Sequence, residues 1–381
     1  MRKKINILIM PTDLCNMNCI YCFHNNYHEK SGRMTLETLR RLYDSVFASY
    51  NDVLFIWHGG EPLCMGLDFY KQALAMQRDY ENVHIENRMQ SNLTLLTDEM
   101  ADFFHENRIG IGASYDGVEN DRLRGNTDEI LFGRQKIIDR GGNCGFIMVL
   151  SKKNLYSIIE SYEQFKELKA NFNINTYVTT TAENNDELEL DADETVKQLK
   201  KFFDYWVADK NCNIHVDFFE RIFKFILYGE KSVCKYNSCL GKWLGIRHDG
   251  SIEPCNRYFP NEFSMGNIWD YSELADAFNS DGFKRLLSCA IERRYKCQKC
   301  SVYSYCTGGC NNVALNENGI MNNNGTTCKI TKQIYHYVVE YIKTNKEITE
   351  HNNPMLRELY ARKKRINQDY HYDVHHDSSV I

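Results

Sequence analysis

Three cysteines, Cys15, Cys19 and Cys22, lie close together near the start of the chain in the segment CNMNCIYC. Their spacing is C-x3-C-x2-C, and no fourth cysteine follows until Cys64. Structural zinc and iron–sulfur cubanes are normally held by four protein ligands. A metal centre with three protein ligands keeps one position open, as catalytic metals do. The segment therefore predicts a metal centre that binds a further group and is held on a single loop of the fold.

The fifteen cysteines of the 381-residue chain are concentrated in two blocks. Three lie in the segment above, and nine fall between Cys234 and Cys328. In a reducing compartment, thiols at regular spacings indicate metal binding rather than disulfides. The distribution therefore predicts two regions that carry metal clusters.

Charge and hydropathy exclude several classes of protein. The net charge of −5 gives no overall attraction to nucleic acid or to an anionic membrane. The opening MRKKINILIMP has a basic start, but its apolar run stops at Pro11 and Asp13, which makes a poor secretory signal. No apolar run approaches the roughly 20 residues that span a bilayer. We therefore expect a cytoplasmic protein with no nucleic acid and no membrane among its partners.

About the first 180 residues alternate short apolar runs with amphipathic helical patterns. The six apolar runs begin at Ile5, Val53, His84, Ile109, Cys144 and Asn173. Thr35 and Thr97 stand where the N-caps of two of the helices are expected. Six strands alternating with helices predict an α/β fold with a parallel sheet, curved into a partial (β/α)6 barrel. Reactive groups in such folds gather on the loops after the strands, and the three-thiol segment follows the first strand.

Polar motifs follow the next three predicted strands. WHGGEP follows the second strand, where Gly59 and Gly60 allow backbone to approach a ligand and Glu61 offers an acceptor for an amine. QSNLT and ASYDG follow the third and fourth strands and place Asn92 and Ser114 at the same edge. A glycine pair after a strand is by itself most often only a turn. The recurrence of such motifs at one sheet edge favours a binding site there.

These residues resemble the radical S-adenosylmethionine (radical SAM) superfamily. The resemblance covers residues 1 to about 180 and rests on CNMNCIYC, with Tyr21 before the last cysteine, on GGEP from Gly59 and on SYDG from Ser114. In this family the three thiolates hold a [4Fe–4S] cluster, and the free iron chelates the amino and carboxylate groups of S-adenosylmethionine. The resemblance implies cleavage of the sulfonium to a 5′-deoxyadenosyl radical, which abstracts hydrogen from the substrate.

The same resemblance implies the contacts to S-adenosylmethionine. The implied cofactor-binding residues are Tyr21, Gly59, Gly60, Glu61, Asn92, Ser114, Arg124 and Val178. GGEP is implied to contact the methionine amine, Asn92 and Ser114 the ribose or carboxylate, Arg124 the carboxylate, and Val178 the adenine. A structural zinc site is the alternative, and it would need His24 or His28 as a fourth ligand.

The second block resembles the SPASM extension of this superfamily. From Cys239 the chain reads C-x10-G-x4-C, and from Cys297 it reads C-x2-C-x5-C-x3-C with a last cysteine at Cys328. The resemblance implies two auxiliary [4Fe–4S] clusters, which makes three clusters in all. The implied ligands are Cys234, Cys239, Cys255 and Cys310 for the first, and Cys297, Cys300, Cys306 and Cys328 for the second.

Eight thiolates fill two cubanes and leave no iron open, which suits electron transfer. Cys234 lies outside the core spacing, and without it one iron would be open to a substrate thiol. A zinc-ribbon-like staple is the alternative interpretation of this block. The sequence predicts four regions: a barrel at 1–205, a helical bridge at 206–233, the SPASM domain at 234–335, and a C-terminal helix with a mobile tail at 336–381.

SPASM proteins of this size most closely resemble maturases of peptides and proteins, including anaerobic sulfatase-maturating enzymes. Sulfatase maturases carry an aspartate, a candidate base, directly after the cysteine equivalent to Cys255, but here that residue is Asn256. An amide takes up no proton at neutral pH. We therefore expect a maturase that forms a thioether or carbon–carbon crosslink in a ribosomally synthesised precursor peptide. A sulfatase maturase, an epimerase and a non-catalytic metal or electron carrier are the alternatives.

The expected partners follow from this interpretation. They are the precursor peptide and a reductant such as flavodoxin or ferredoxin. Because the chain begins almost at its first strand, we expect leader recognition to fall to the bridge, the C-terminal helix or a separate leader-binding protein. The sequence indicates no general base and no particular reacting residue.

Overall fold

The computed structural model of the chain describes residues 3–26, 32–179, 187–231, 234, 239–257, 261–322, 324–345 and 353–362. Eight strands among these residues form one sheet: β1 (Lys4–Met10), β2 (Asp52–Trp57), β3 (His84–Ser91), β4 (Gly110–Ser114), β5 (Phe146–Leu150), β6 (Phe172–Thr176), β7 (Trp243–Arg247) and β8 (Ile252–Glu253). Their order is β6-β5-β4-β3-β2-β1-β7-β8. Strands β1 to β6 are parallel and coincide with the six predicted apolar runs, so the predicted fold class is confirmed.

Helices connect and follow the strands. They are α1 (Leu36–Ser49), α2 (Leu67–Gln77), α3 (Asp98–Glu106), α4 (Asn120–Leu123), α5 (Thr127–Asp139), α6 (Ile158–Glu167), α7 (Ala192–Ala208), α8 (Asp217–Tyr228), α9 (Asp281–Cys297), α10 (Tyr303–Cys306), α11 (Asn311–Asn318) and α12 (Thr326–Thr344). The two predicted N-caps are confirmed: Thr35 Oγ1 accepts the Thr38 N–H at 3.0 Å, and Thr97 Oγ1 accepts the Met100 N–H at 3.1 Å.

The hydrophobic core lies between the sheet and the helices on its outer face. Ile5, Ile7 and Ile9 of β1 are fully buried, as are Phe55 and Trp57 of β2. A parallel sheet is covered on both faces, so its central strands are apolar on both sides near the core.

The second cysteine block contributes two strands to the same sheet, which the sequence did not predict. Strand β7 pairs in parallel with β1, with Ile7 opposite Leu244, and β8 returns antiparallel to β7. The hairpin turn contains Gly250 at φ +85°, in the left-handed region that glycine tolerates. Hydrogen bonds along β1 therefore fix the second block against the loop that follows β1.

Helices α7 and α8 lie between the two blocks in the chain, and α7 continues past the predicted boundary at residue 205. The predicted boundaries stay predictions, and the predicted mobile tail lies outside the described residues from 363 onward. In the parts of the chain that the structure describes, no helix has the length and apolar character needed to cross a membrane.

Candidate functional site

A cavity of about 390 Å³ lies at the carboxyl ends of the parallel strands. One wall is formed by the loops after β1, β2, β3 and β4 and by the segment after β6. The opposite wall comes from the second block and includes Cys234, Asn256, Arg257 and Cys310. The cavity is lined by every residue that the sequence singled out on the barrel: Cys15, Cys19, Tyr21, Cys22, Gly59, Gly60, Glu61, Asn92, Ser114, Arg124 and Val178.

The three thiols of the first loop interact with one another. The Cys15 side chain is exposed at the cavity wall, yet the pKa of its thiol is raised to about 12, mainly because the surrounding protein partly removes its hydration. The charges of Glu61, Cys19 and Cys22 contribute to this rise, while the Met17 N–H, which donates to Cys15 Sγ at 3.4 Å, opposes it. Three such thiolates repel each other, and a bound cation removes that repulsion. The donor set therefore fits a metal cluster.

The glycine pair after β2 lies against the backbone of the cysteine loop. The Gly60 N–H donates to Thr12 O at 3.0 Å, and the Glu61 N–H donates to Leu14 O at 2.7 Å. A Cβ on Gly60 would lie 2.3 Å from Leu14 O, and a Cβ on Gly59 would lie 2.8 Å from Thr12 O. Glycine is required here by the cysteine loop, whereas the sequence suggested only approach to a ligand.

Glu61 is buried and accepts three hydrogen bonds. Its Oε1 accepts from the Leu63 N–H at 3.0 Å and the Ser91 hydroxyl at 2.7 Å, and its Oε2 accepts from the Asn92 N–H at 2.8 Å. Burial raises its pKa to about 7, although these three donors lower it in part. A carboxylate has about four acceptor sites, so one remains for a donor in the cavity. A cationic ligand at that site would lower the pKa again.

Arg124 is paired with Asp116, a residue of the ASYDG motif. Arg124 Nε donates to Asp116 Oδ2 at 2.9 Å, and Arg124 lies over the Tyr21 ring, 5.1 Å from its centroid. The Tyr21 hydroxyl and the Val149 N–H also donate to this carboxylate. Burial alone would lower the pKa of Arg124, but the charge of Asp116 raises it well above its usual range. The structure thus gives Arg124 a protein partner besides the cofactor carboxylate that the sequence suggested.

Asn92 and Ser114 are held by neighbouring side chains. Asn92 Nδ2 donates to Asn16 Oδ1 at 3.0 Å, and Asn92 Oδ1 accepts from the Thr94 hydroxyl at 2.8 Å. Ser114 Oγ accepts from Gln90 Nε2 at 2.9 Å. Asn92 therefore fixes the end of β3 to the cysteine loop while it lines the cavity.

The first four cysteines of the auxiliary assignment interact with one another. Burial, followed by the charges of Cys310 and Cys234, raises the pKa of Cys239 to about 12. Burial also raises the pKa of Cys255 well above its usual range, with further increases from Cys310 and Cys239. Cys234, which lies outside the core sequence spacing, is therefore close enough to belong to this group.

The other four cysteines form a second group. Burial raises the pKa of Cys306 to about 12, followed by the charges of Cys328, Cys297 and Cys300. Burial, followed by the charges of Cys297 and Cys300, raises the pKa of Cys328 to about 11. The electrostatic contacts thus divide the eight thiols into the same two sets of four that the resemblance implied. Ligation of a cluster by each set stays a prediction.

One buried residue that sequence reasoning missed lies close to both sets. The guanidinium of Arg293, on α9, interacts with the charges of Cys310 and Cys239 of one set and Cys297 of the other. Its hydrogen-bond acceptors are Gly308 O, Ile320 O and Asn311 Oδ1. Arg293 lies four residues before a CxxC motif, and no pattern in the surrounding sequence predicts that an arginine there is buried.

A second missed contact joins the hairpin to the cysteine loop. Asp13 is buried and accepts from Arg247 Nη2 at 3.0 Å, and His248 Nε2 lies 2.8 Å from the same Oδ2. The hydrogen bond to Asp13 raises the pKa of His248 above its usual range. These side chains lie at the end of β7 and the start of the turn, so the pairing of β7 with β1 brings them to the loop.

The alternative of a single zinc ion involves His24 and His28. His24 is buried, which lowers its pKa to about 3, and its ring lies 4.3 Å from that of Phe23. His28 lies outside the described residues. Within the ranges that the structure covers, no three His, Cys, Asp or Glu side chains are grouped to hold one metal ion.

Comparison with known proteins matches both halves of the chain. The family model of the radical SAM superfamily matches residues 9–189, and that of the SPASM iron–sulfur cluster-binding domain matches residues 234–319. A cysteine-type anaerobic sulfatase-maturating enzyme of Clostridium novyi (strain NT) is 28% identical over 333 residues, which covers 81% of this chain and 88% of the relative.

Two solved structures share this fold. Native anSMEcpe with bound AdoMet and Cp18Cys peptide has a TM-score of 0.80 at 24% identity and covers 90% of this chain and 99% of its own. SuiB of Streptococcus suis bound to precursor peptide SuiA has a TM-score of 0.62 at 17% identity and covers 86% of this chain and 76% of its own.

The fold, the cysteine sets and these matches define a radical SAM enzyme. The chain carries a radical SAM domain over residues 9–189 and a SPASM iron–sulfur domain over residues 234–319, as the sequence resemblance implied. Relatives in Clostridium novyi and Bacteroides thetaiotaomicron are anaerobic sulfatase-maturating enzymes.

Proposed function

We propose that this chain modifies a ribosomally synthesised peptide by forming a thioether or carbon–carbon crosslink. The observation that carries the proposal is the composition of the cavity wall. Asn256 lines the cavity at the position where the sequence resemblance implies an aspartate in sulfatase maturases, and Glu61 is the one carboxylate that lines the cavity among the described residues. Glu61 is already engaged by three donors. Among the described residues, the cavity therefore offers no carboxylate that could act as a base beside the auxiliary thiols.

Three [4Fe–4S] clusters are proposed, one on each cysteine set. Cys15, Cys19 and Cys22 would hold the first, and the two sets of four in the second block would hold the others. When bound with S-adenosylmethionine, the first cluster supplies a radical that removes a hydrogen atom from the substrate. The mutual repulsion of the thiolates within each set supports this assignment.

The protein side chains would bind and orient the cofactor. Glu61 has one acceptor site left for the methionine ammonium, and a cation there would keep the carboxylate ionised at neutral pH. The buried Asp116 accepts hydrogen bonds from Arg124 and Tyr21 and holds both side chains beside the cysteine loop. The Arg124 guanidinium would bind the cofactor carboxylate with donors that Asp116 does not occupy. Val178 would form part of the adenine site.

A sulfatase maturase is the second candidate, and the similarity to the Clostridium novyi enzyme favours it. That function predicts formylglycine on a sulfatase-derived Cys or Ser peptide. Replacing Asn256 by aspartate would then increase the yield. The crosslinking proposal expects no formylglycine from either Asn256→Asp or the unaltered chain.

The test is anaerobic co-expression with short peptides encoded beside this chain, followed by mass spectrometry. A crosslink removes two hydrogens from the peptide, whereas formylglycine changes a Cys or Ser side chain to an aldehyde. Absence of any mass loss in peptides from neighbouring reading frames, combined with formylglycine on a sulfatase peptide, would refute the proposal. We propose that flavodoxin or ferredoxin is the reductant and that the protein acts in the cytoplasm. A separate protein is proposed to recognise the leader of the precursor peptide.

A further inference from the structure

The charges around the cavity are unbalanced. Among the described residues, Arg124, Arg257 and Glu61 are the charged side chains other than histidine and cysteine that line it. Arg124 is paired with the buried Asp116. Glu61 accepts hydrogen bonds from two backbone N–H groups and a serine hydroxyl. Neither carboxylate therefore balances the charge of Arg257.

Arg257 forms no salt bridge with any residue in the described ranges. It is half-buried, its backbone N–H donates to Cys255 Sγ at 3.4 Å, and its guanidinium lies 5.9 Å from the centroid of the Phe23 ring. An arginine has five N–H donors in a planar fork that matches a carboxylate. A half-buried guanidinium of this kind gains most from an anion that enters the cavity with it.

In the described ranges, no group accepts a hydrogen bond from this guanidinium. Two titratable side chains interact with its charge. Burial, followed by the charge of Arg257, lowers the pKa of His58 to about 4, and burial raises the pKa of Cys255 well above its usual range while the charge of Arg257 lowers it in part. His58 is therefore neutral near pH 7. Its Nδ1 accepts the Gly59 N–H at 2.9 Å, which leaves the ring proton on Nε2. Asn256, next to Arg257, is also uncharged. Cys255 would be an anion when it holds a cluster, but its Sγ accepts the Arg257 backbone N–H, so the donors of the guanidinium are left for another acceptor in the cavity.

We propose that Arg257 binds a carboxylate of the substrate peptide beside the reacting residue, so that the enzyme selects an acidic peptide. The inference rests on the proposed function, because it takes the occupant of this part of the cavity to be the peptide. An aspartate or glutamate side chain and a free C-terminal carboxylate present the same chemistry. Arg257 would therefore determine specificity, while the hydrogen atom is removed elsewhere in the peptide.

The test measures the binding of three probe peptides to the reconstituted enzyme with S-adenosylmethionine and without reductant. Two probes are capped nonapeptides with a central cysteine, one with Asp after the cysteine and one with Asn. The third is the Asn peptide shortened to end at that residue with a free carboxylate. A charge-assisted hydrogen bond makes the expected preference for a carboxylate peptide roughly ten-fold to a hundred-fold.

Variants connect the preference to this side chain. Arg257→Gln is expected to bind the three probes equally, and Arg257→Lys to retain part of the preference because it retains the charge. Arg122→Gln is the matched control, since Arg122 is exposed, pairs with Glu119 and does not line the cavity. Preference for the capped Asp probe identifies a side-chain carboxylate, and preference for the free-ended probe identifies the C-terminus.

Several results would overturn the inference. These are equal binding of the three probes, absence of binding at millimolar peptide, an unchanged preference in Arg257→Gln, or loss of S-adenosylmethionine affinity in that variant with the peptide preference intact. The last result would assign Arg257 to the cofactor carboxylate. Formation of 5′-deoxyadenosine is measured separately: its absence with the preference present contradicts the proposed function alone, and its presence without the preference contradicts only the role of Arg257.

Discussion

Replacing Asp116 by asparagine should strongly destabilise the barrel. The Asp116 carboxylate is fully buried and accepts from Arg124 Nε at 2.9 Å, from the Val149 N–H at 2.8 Å and from the Tyr21 hydroxyl. The substitution keeps the shape of the side chain but leaves the buried Arg124 without a counter-charge. Breaking a buried pair in this way costs about 3–5 kcal/mol. The same change on the exposed Asp79, which pairs with Arg40, should cost at most about 1 kcal/mol.

The assay is urea unfolding of the purified apo chain, followed by tryptophan fluorescence, to which the buried Trp57 of the barrel contributes. Because the charge of Arg124 carries the penalty, Arg124→Gln combined with Asp116→Asn should cost less than the sum of the two single changes, by about 2 kcal/mol. A cost of Asp116→Asn close to that of Asp79→Asn, or additive single changes, would refute the reasoning.

Other substitutions test separate contacts. Glu61 binds its proton more tightly in the folded chain, with a pKa of about 7 against 4.5, so the free energy of unfolding should fall by roughly 3 kcal/mol as pH rises from 4.5 to 7. Glu61→Gln should remove that fall, which urea unfolding at several pH values measures; an unchanged slope contradicts it. Arg293→Gln leaves buried acceptors without donors and should cost about 3 kcal/mol, with less iron per chain after reconstitution. Normal iron content and stability would exclude that role. Asn256→Asp should yield no formylglycine on a sulfatase-derived Cys peptide, as judged by mass spectrometry, and its appearance would favour the second candidate function.

Much of the barrel could be predicted from the sequence because its signals are local. The apolar runs of β1 to β6 and the caps at Thr35 and Thr97 each depend on a few adjacent residues. The position of the polar motifs at one sheet edge follows from the parallel topology. All of the residues selected on the barrel line one cavity for this reason.

The remaining features depend on contacts between distant parts of the chain. The segment WLGIR has the pattern of a strand, but nothing in it shows that β7 pairs with β1. The paired residues Asn6 and Trp243 are more than 230 residues apart in the chain. The partner of Arg124 was missed because the motif around Asp116 was interpreted as a ligand contact. The need for glycine at Gly60 follows only from the structure, in which a Cβ added to this residue would lie 2.3 Å from the Leu14 carbonyl oxygen.

The proposal that the first three thiols hold a cluster with an open iron can be measured directly. The chain would be reconstituted anaerobically with iron and sulfide, reduced, and examined by electron paramagnetic resonance before and after addition of S-adenosylmethionine. A variant with Cys15, Cys19 and Cys22 replaced by alanine serves as the control. The account predicts one component of the cubane signal that the cofactor shifts and that the variant lacks, beside the signals of the two auxiliary clusters, which the variant keeps. A spectrum in which the cofactor shifts no component, or a variant that retains the shifted component, would contradict it.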